Sequence, residues 1–90
     1  SFYTVTFEFD LEKSRSNESK HGISFTSSQA LWQDEDRVTF PANSETEQRF
    51  ALLASFGGKV WAAFYTMREE RIRIISVRRA RAKEIEVYES

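Results

Sequence analysis

Three short stretches carry side chains that can do chemistry on a phosphodiester. In Lys20-His21-Gly22 an ammonium stands beside the one histidine of the chain. An imidazole with an unperturbed pKa of about 6.5 accepts or donates a proton at neutral pH, and the lysine can hold a phosphate next to it. The same tripeptide has a plainer explanation: cations favour the negative end of a helix, and glycine ordinarily ends one. In Arg71-Ile72-Arg73-Ile74, strand alternation puts both guanidiniums on one sheet face and both isoleucines on the other. Guanidiniums grip phosphate oxygens bidentately, or else keep an open face soluble and pair with Glu69 or Glu70. Arg49, opposite in parity to Phe50 and Leu52, is a companion to them across the sheet.

The third stretch, Ser76-Val77-Arg78-Arg79-Ala80-Arg81, lies where a strand hands over to a helix. Adjacent Ile74 and Ile75 suggest a bulge that re-aims the side chains that follow. Clustered bases repel one another, so this group suits an anion. An RNA backbone and an acidic protein segment satisfy it equally. Residues 1–58 hold five bases against nine acids, whereas residues 59–90 hold eight against five. The formal charge of −1 therefore conceals a basic C-terminal third. A phosphate responds to the local patch, within a Debye length of about 8 Å, rather than to the total.

With no cysteine and a single histidine there is no disulfide and no usual zinc ligand set, so neither metal nor cofactor is expected. Eight Phe, three Tyr and two Trp must supply the core of one domain spanning residues 1–90. No apolar run reaches the roughly 20 residues that cross a bilayer. No basic-then-apolar leader precedes the first strand, and the missing initiator Met points to a processed or trimmed start. A cytoplasmic protein is the expectation.

The elements that must position these residues follow from periodicity and punctuation. Residues 2–9 alternate as a strand. Asp10 caps a helix over Leu11–His21 that Gly22 ends, although its serines give it little propensity, so tertiary contacts must hold it. Ser24 caps a second short helix carrying Phe25, Ala30, Leu31 and Trp32. Past the acidic Asp34-Glu35-Asp36, residues 37–40 form a strand stopped by Pro41, and residues 42–46 a polar loop. Residues 48–56 place Phe50, Leu52, Ala54 and Phe56 on one face; Gly57-Gly58 makes a hairpin. Residues 59–66, apolar on both faces, suit a central strand, and a turn near 67–70 leads into a strand over 71–77. Residues 80–89 close the chain as a helix with Ala82, Ile85 and Tyr88 along one side; that spacing favours core packing for Tyr88 over stacking on a base. The class is α+β: an N-terminal strand, two helices, an antiparallel sheet of about four strands, and a C-terminal helix.

Taken together and in order, Phe7-Glu8-Phe9-Asp10, Asn17 with Lys20-His21-Gly22-Ile23-Ser24-Phe25, Glu47-Gln48-Arg49-Phe50, and Arg71 through Ala80 resemble the motifs of BrnT-type toxins. The chain departs from that pattern at Phe9, where Trp is common, at Val77, where Ala is usual, and in its serine-rich first helix. The resemblance implies a RelE-like fold and a metal-independent endoribonuclease, the toxin of a type II toxin–antitoxin system that inhibits translation and growth. It also implies a neutralising antitoxin with a ribbon-helix-helix-type DNA-binding domain, operator DNA being reached only through their complex. Carried over by position, Lys20, His21, Arg71 and Arg73 are the expected catalytic residues. Arg49, Arg78 and Arg79, with neighbouring Arg81, are expected to bind RNA. The other readings are a non-catalytic protein that binds the same partner, and a stand-alone nucleic-acid-binding module.

Overall fold

The computed structural model describes residues 5–42 and 45–90. Its elements run β1 (Thr6–Glu8), α1 (Leu11–His21), α2 (Phe25–Ser28), a 3-10 helix (Gln29–Gln33), β2 (Val38–Ala42), β3 (Arg49–Phe56), β4 (Lys59–Arg68), β5 (Arg71–Arg79) and α3 (Ala82–Glu89). The five strands form one sheet in the order β1-β5-β4-β3-β2, β1 lying parallel to β5 and the others antiparallel. The α+β class and the expected order of elements hold. Among the described residues no helix is long and apolar enough to cross a membrane.

Helix α1 has no apolar stripe, and hydrogen bonds replace one. Its ends are as expected: the Asp10 carboxylate accepts from the Glu12 and Lys13 amides, and Gly22, at φ 82°, donates to the Glu18 carbonyl. Its buried residues are Ser14 and Asn17. Ser14 Oγ accepts from the Phe25 amide at 2.9 Å. Asn17 Nδ2 donates to the Ile23 carbonyl at 2.8 Å, while its Oδ1 accepts from the Val77 amide at 3.1 Å. One amide side chain thus satisfies buried backbone groups on the loop after α1 and on β5.

The first sheet face carries the main core. Leu52, Ala54, Trp61, Ala63, Tyr65, Ile72, Ile74 and Val77 pack there with Ile23, Phe25 and Leu31 from the helical side. Aromatic contacts fasten the N-terminal segment to it: Phe7 meets Trp32 edge-on at 5.1 Å, Trp32 meets Tyr65 at 5.4 Å, and Phe9 meets Phe25 at 5.8 Å.

The bulge suggested by Ile74-Ile75 is present. Tyr65 pairs with Ile74 but Phe64 pairs with Ser76, so Ile75 is the extra residue. Its insertion inverts the parity of the rest of β5. Val77 joins Ile72 and Ile74 on the core face, and Arg78 joins Arg73 on the other.

That second face is also buried at one end, where Ala51, Leu53 and Ala62 are at most 1 % exposed and α3 contacts β3. No residue of α3 is itself buried. Polar contacts hold the helix: Arg78 forks onto Glu84, and the Tyr88 hydroxyl donates to Asp34 Oδ2 at 2.5 Å. The same Asp34 oxygen accepts from the Ser55 amide at 2.8 Å. Tyr88 was expected to pack in the core; it is only half-buried, and the contact that fixes it is its hydroxyl bond to Asp34.

Several boundaries differ from expectation. Pro41 does not stop β2; it pairs with Phe50 within the strand. β2 is the sheet edge, where one side has no partner and a residue lacking an N–H is tolerated. β4 continues to Arg68, leaving only Glu69 and Glu70 in the turn, with Glu69 at φ 58°. β5 continues to Arg79, so α3 begins at Ala82 rather than at residue 80. Gly57 and Gly58, at φ 63° and 77°, form the expected hairpin turn. The strand expected over residues 2–9 is described as Thr6–Glu8; its residues 2–4, and Asn43 and Ser44 of the expected polar loop, lie outside the described residues.

Two outcomes test this packing. Asn17→Ala strands a buried N–H and a buried C=O, and is expected to cost about 2–4 kcal/mol in chemical denaturation. The pH dependence of stability should show the Asp34–Tyr88 contact. The Tyr88 hydroxyl bond and then the Ser55 amide lower the Asp34 pKa from 3.8, so its contribution is present above that value and fades as pH falls through the lowered one. The bond to Asp34 first, then burial, raises Tyr88 from 10.0 to about 12, so its contribution is full below 10.0 and lost as pH rises through about 12. Tyr88→Phe should flatten both limbs of the stability–pH curve measured by urea unfolding.

Candidate functional site

Away from α3, the second sheet face is open and basic. Register builds it residue by residue. Arg73 pairs with Thr66 on one side and Glu8 on the other, and Arg71 pairs with Arg68. Arg49 precedes Phe50, which pairs with Tyr65, so it lies across from Thr66. Side chains at paired positions share a face. Arg49, Arg68, Arg71 and Arg73 therefore project together from three adjacent strands. Thr66, buried between them, donates its hydroxyl to the Gln48 carbonyl at 2.6 Å and ties β4 to the start of β3.

The carboxylate of Glu8 stands among these guanidiniums. Its Oε2 lies 2.9 Å from Arg73 Nη1 and its Oε1 lies 3.8 Å from Arg71 Nη1. Glu8, Arg68, Glu69 and Arg71 line a depression of about 280 Å³. Arg49 Nε is buried without a hydrogen bond, 3.6 Å from Glu47 Oε1. Such a face can receive phosphate oxygens, since guanidiniums keep their charge and offer several donors each.

Lys20 and His21 occupy a different depression. Both are exposed at the C-terminal end of α1, and with Lys13, Asn17, Ile75 and Ser76 they line an open hollow of about 200 Å³. None of the arginines expected to act with His21 lines it. The link is β5 itself: Ser76, at the wall of this hollow, pairs with Phe64 and belongs to the face that carries Arg73 and Arg78.

The structure divides the basic corner expected at Arg78, Arg79 and Arg81. Arg78 is on the second face, its guanidinium 5.1 Å from the Phe64 ring centre and forked onto Glu84 at 2.8 and 2.9 Å. That fork raises the Arg78 pKa and holds the Glu84 carboxyl below its ordinary value. Arg79 points to the first face, over Trp61 at 5.6 Å. Arg81 is exposed at the start of α3, where its amide donates to Glu84 Oε1 at 2.7 Å. The structure thus gathers Arg49, Arg71 and Arg73 and separates them from Arg79 and Arg81.

Two members of the open face had not been singled out from sequence. Ending the fourth strand at Thr66 put Arg68 in a turn; two further residues of alternation return it to the face of Thr66. Glu8 stood in the Phe7-Glu8-Phe9-Asp10 motif but was given no role, because its partners are more than 60 positions away. Among the described residues, no group of three or more His, Asp or Glu could hold a metal ion.

Comparison with known proteins agrees with the resemblance in the motifs. A family profile described as "Ribonuclease toxin, BrnT, of type II toxin-antitoxin system" matches residues 9–84. A search of curated proteins gives no match.

If the open face binds phosphates, each lost guanidinium should remove about one released counterion. Arg68→Ala is expected to reduce the slope of log affinity for single-stranded RNA against log salt by about 0.7. Fluorescence anisotropy across a salt series measures it, and an unchanged slope places Arg68 outside the interface.

Proposed function

The chain belongs to the BrnT family of ribonuclease toxins of type II toxin–antitoxin systems, and from that premise we propose that it is a metal-independent endoribonuclease that reads RNA through the arginine face of its sheet. The observation that carries the reading is the convergence of Arg49, Arg68, Arg71 and Arg73 on one open face. RNA cleavage of this kind needs no metal if the protein stabilises the phosphorane and moves two protons. The 2′-oxygen attacks the adjacent phosphorus, the P–O5′ bond breaks, and a 2′,3′-cyclic phosphate and a 5′-hydroxyl result. Arg71 and Arg73 offset the charge that develops on the phosphoryl oxygens, a term often worth several kcal/mol. His21 is the group assigned to proton transfer, with Lys20 holding phosphate beside it. The support for this assignment is that Lys20 and His21 line one hollow together, with Ser76 of β5 at its wall. Arg78, on the same face but forked onto Glu84, is the outermost proposed RNA contact there, whereas Arg79 and Arg81 lie off that face and could meet only RNA that runs past the end of β5.

A type II family implies an antitoxin partner. We infer that this antitoxin carries a ribbon-helix-helix-type domain, that it neutralises inhibition of translation and growth, and that operator DNA is bound only by the complex. A second reading, binding of the antitoxin without catalysis, draws support from Arg73 and Arg78, which already hold carboxylates of their own chain. Incubation with RNA in EDTA separates the two. Cleavage by the wild-type protein is expected, with losses of roughly 100-fold in His21→Ala and in Arg73→Ala. Undiminished cleavage by both variants removes the residue assignment, and no cleavage by the wild type favours the binding reading.

A further inference from the structure

We propose that Glu8 is a catalytic residue, the acceptor of the 2′-hydroxyl proton, and that the depression it shares with Arg68 and Arg71 seats the scissile phosphodiester. The inference rests on the ribonuclease reading above and names a residue that reading leaves without a role. In an in-line displacement the attacking 2′-oxygen and the leaving 5′-oxygen lie on opposite sides of the phosphorus. The two protons therefore move on opposite sides as well, and one imidazole in one protonation state serves only one of them. A second group is required, and it must stand where the arginines hold the phosphate.

Glu8 meets that requirement. It projects from β1 onto the face of Arg71 and Arg73, as its register with Arg73 dictates. Its side chain is 26 % exposed, so one edge remains open to a ligand while Arg73 at 2.9 Å fixes its orientation. Arg68, Arg71 and a second carboxylate, Glu69, stand with it around the same depression, but of the two acids only Glu8 is also held by Arg73. A carboxylate at the centre of such a face opposes phosphate binding through its own charge. Its position among three guanidiniums is unfavourable for binding alone and suited to a proton acceptor aligned beside a held phosphate.

The step balances within these groups. The 2′-O–H gives its proton to Glu8 as the O2′–P bond forms. Arg68, Arg71 and Arg73 hold the phosphoryl oxygens, the P–O5′ bond breaks, and the leaving 5′-oxygen takes a proton from His21 or water. The alternative is that Glu8 only pins a three-residue strand to the sheet edge through its ion pairs.

Glu8→Gln distinguishes these, because the amide keeps the shape and an acceptor oxygen but is a far weaker base. The measurements are single-turnover cleavage of a short mixed-sequence RNA, binding of its 2′-O-methyl counterpart, and the unfolding midpoint. The expected result is cleavage slower by about 100-fold or more, with equal or tighter binding and an unfolding midpoint within a few degrees of wild type. Cleavage at the wild-type rate overturns the proposal while leaving the ribonuclease reading intact. So does a loss of cleavage matched by equal losses of binding or stability, which assigns Glu8 to strand docking. Absence of cleavage by the wild-type protein sinks both together.

Discussion

The arrangement of this molecule depends on the side-chain amide of Asn17. It bonds the Ile23 carbonyl on one side and the Val77 amide on the other, joining the helical layer to the sheet at the residues just beyond the bulge. β1 covers β5 only from Arg71 to Arg73. Beyond that, among the described residues, the β5 backbone has no strand on that side, and α1 takes over with a hydrogen bond in place of a ladder. Ser14 makes the equivalent bond to the first amide of α2. A helix with so few apolar residues can belong to a core because its buried positions satisfy backbone groups that would otherwise be stranded.

The bulge at Ile75 then sorts the charges. Without it, Arg78 would point into the aromatic core and Val77 would stand among the arginines. With it, one strand supplies core on both sides of the irregularity and still presents Arg73 and Arg78 on the same outer face. The two guanidiniums meet different conditions there. Arg73 is part-buried and held by Glu8 on the end of the face that α3 leaves uncovered, whereas Arg78 lies on Phe64, forked onto Glu84 of α3. α3 thus divides the second face into a closed apolar end and an open basic one.

Much of the fold was legible because its signals are local. Asp10 and Gly22 bound α1, Gly57-Gly58 bounds a hairpin, and a doubled isoleucine marks the bulge. The facing of Arg71 and Arg73 followed from alternation alone. The site was legible only in part, for three physical reasons. Strand ends are set by pairing partners rather than by their own residues, so Arg68 and Arg79 were misplaced between strand and turn or helix. Proline breaks a strand only where its missing N–H is needed, and Pro41 sits on an edge. The bonds that matter most, from Asn17 to Val77 and from Glu8 to Arg73, span 60 and 65 positions and leave no local mark.

Pro41 also bears on what the molecule can join. A sheet margin with a continuous row of free donors and acceptors invites a further strand, from another copy or from an unfolded neighbour. Here one margin is interrupted by a residue with nothing to donate, and the other, among the described residues, is a strand of three. The sheet is therefore finite by construction. Association by lengthening it is discouraged at both borders, and recognition is left to its surfaces and to the side chains standing on them.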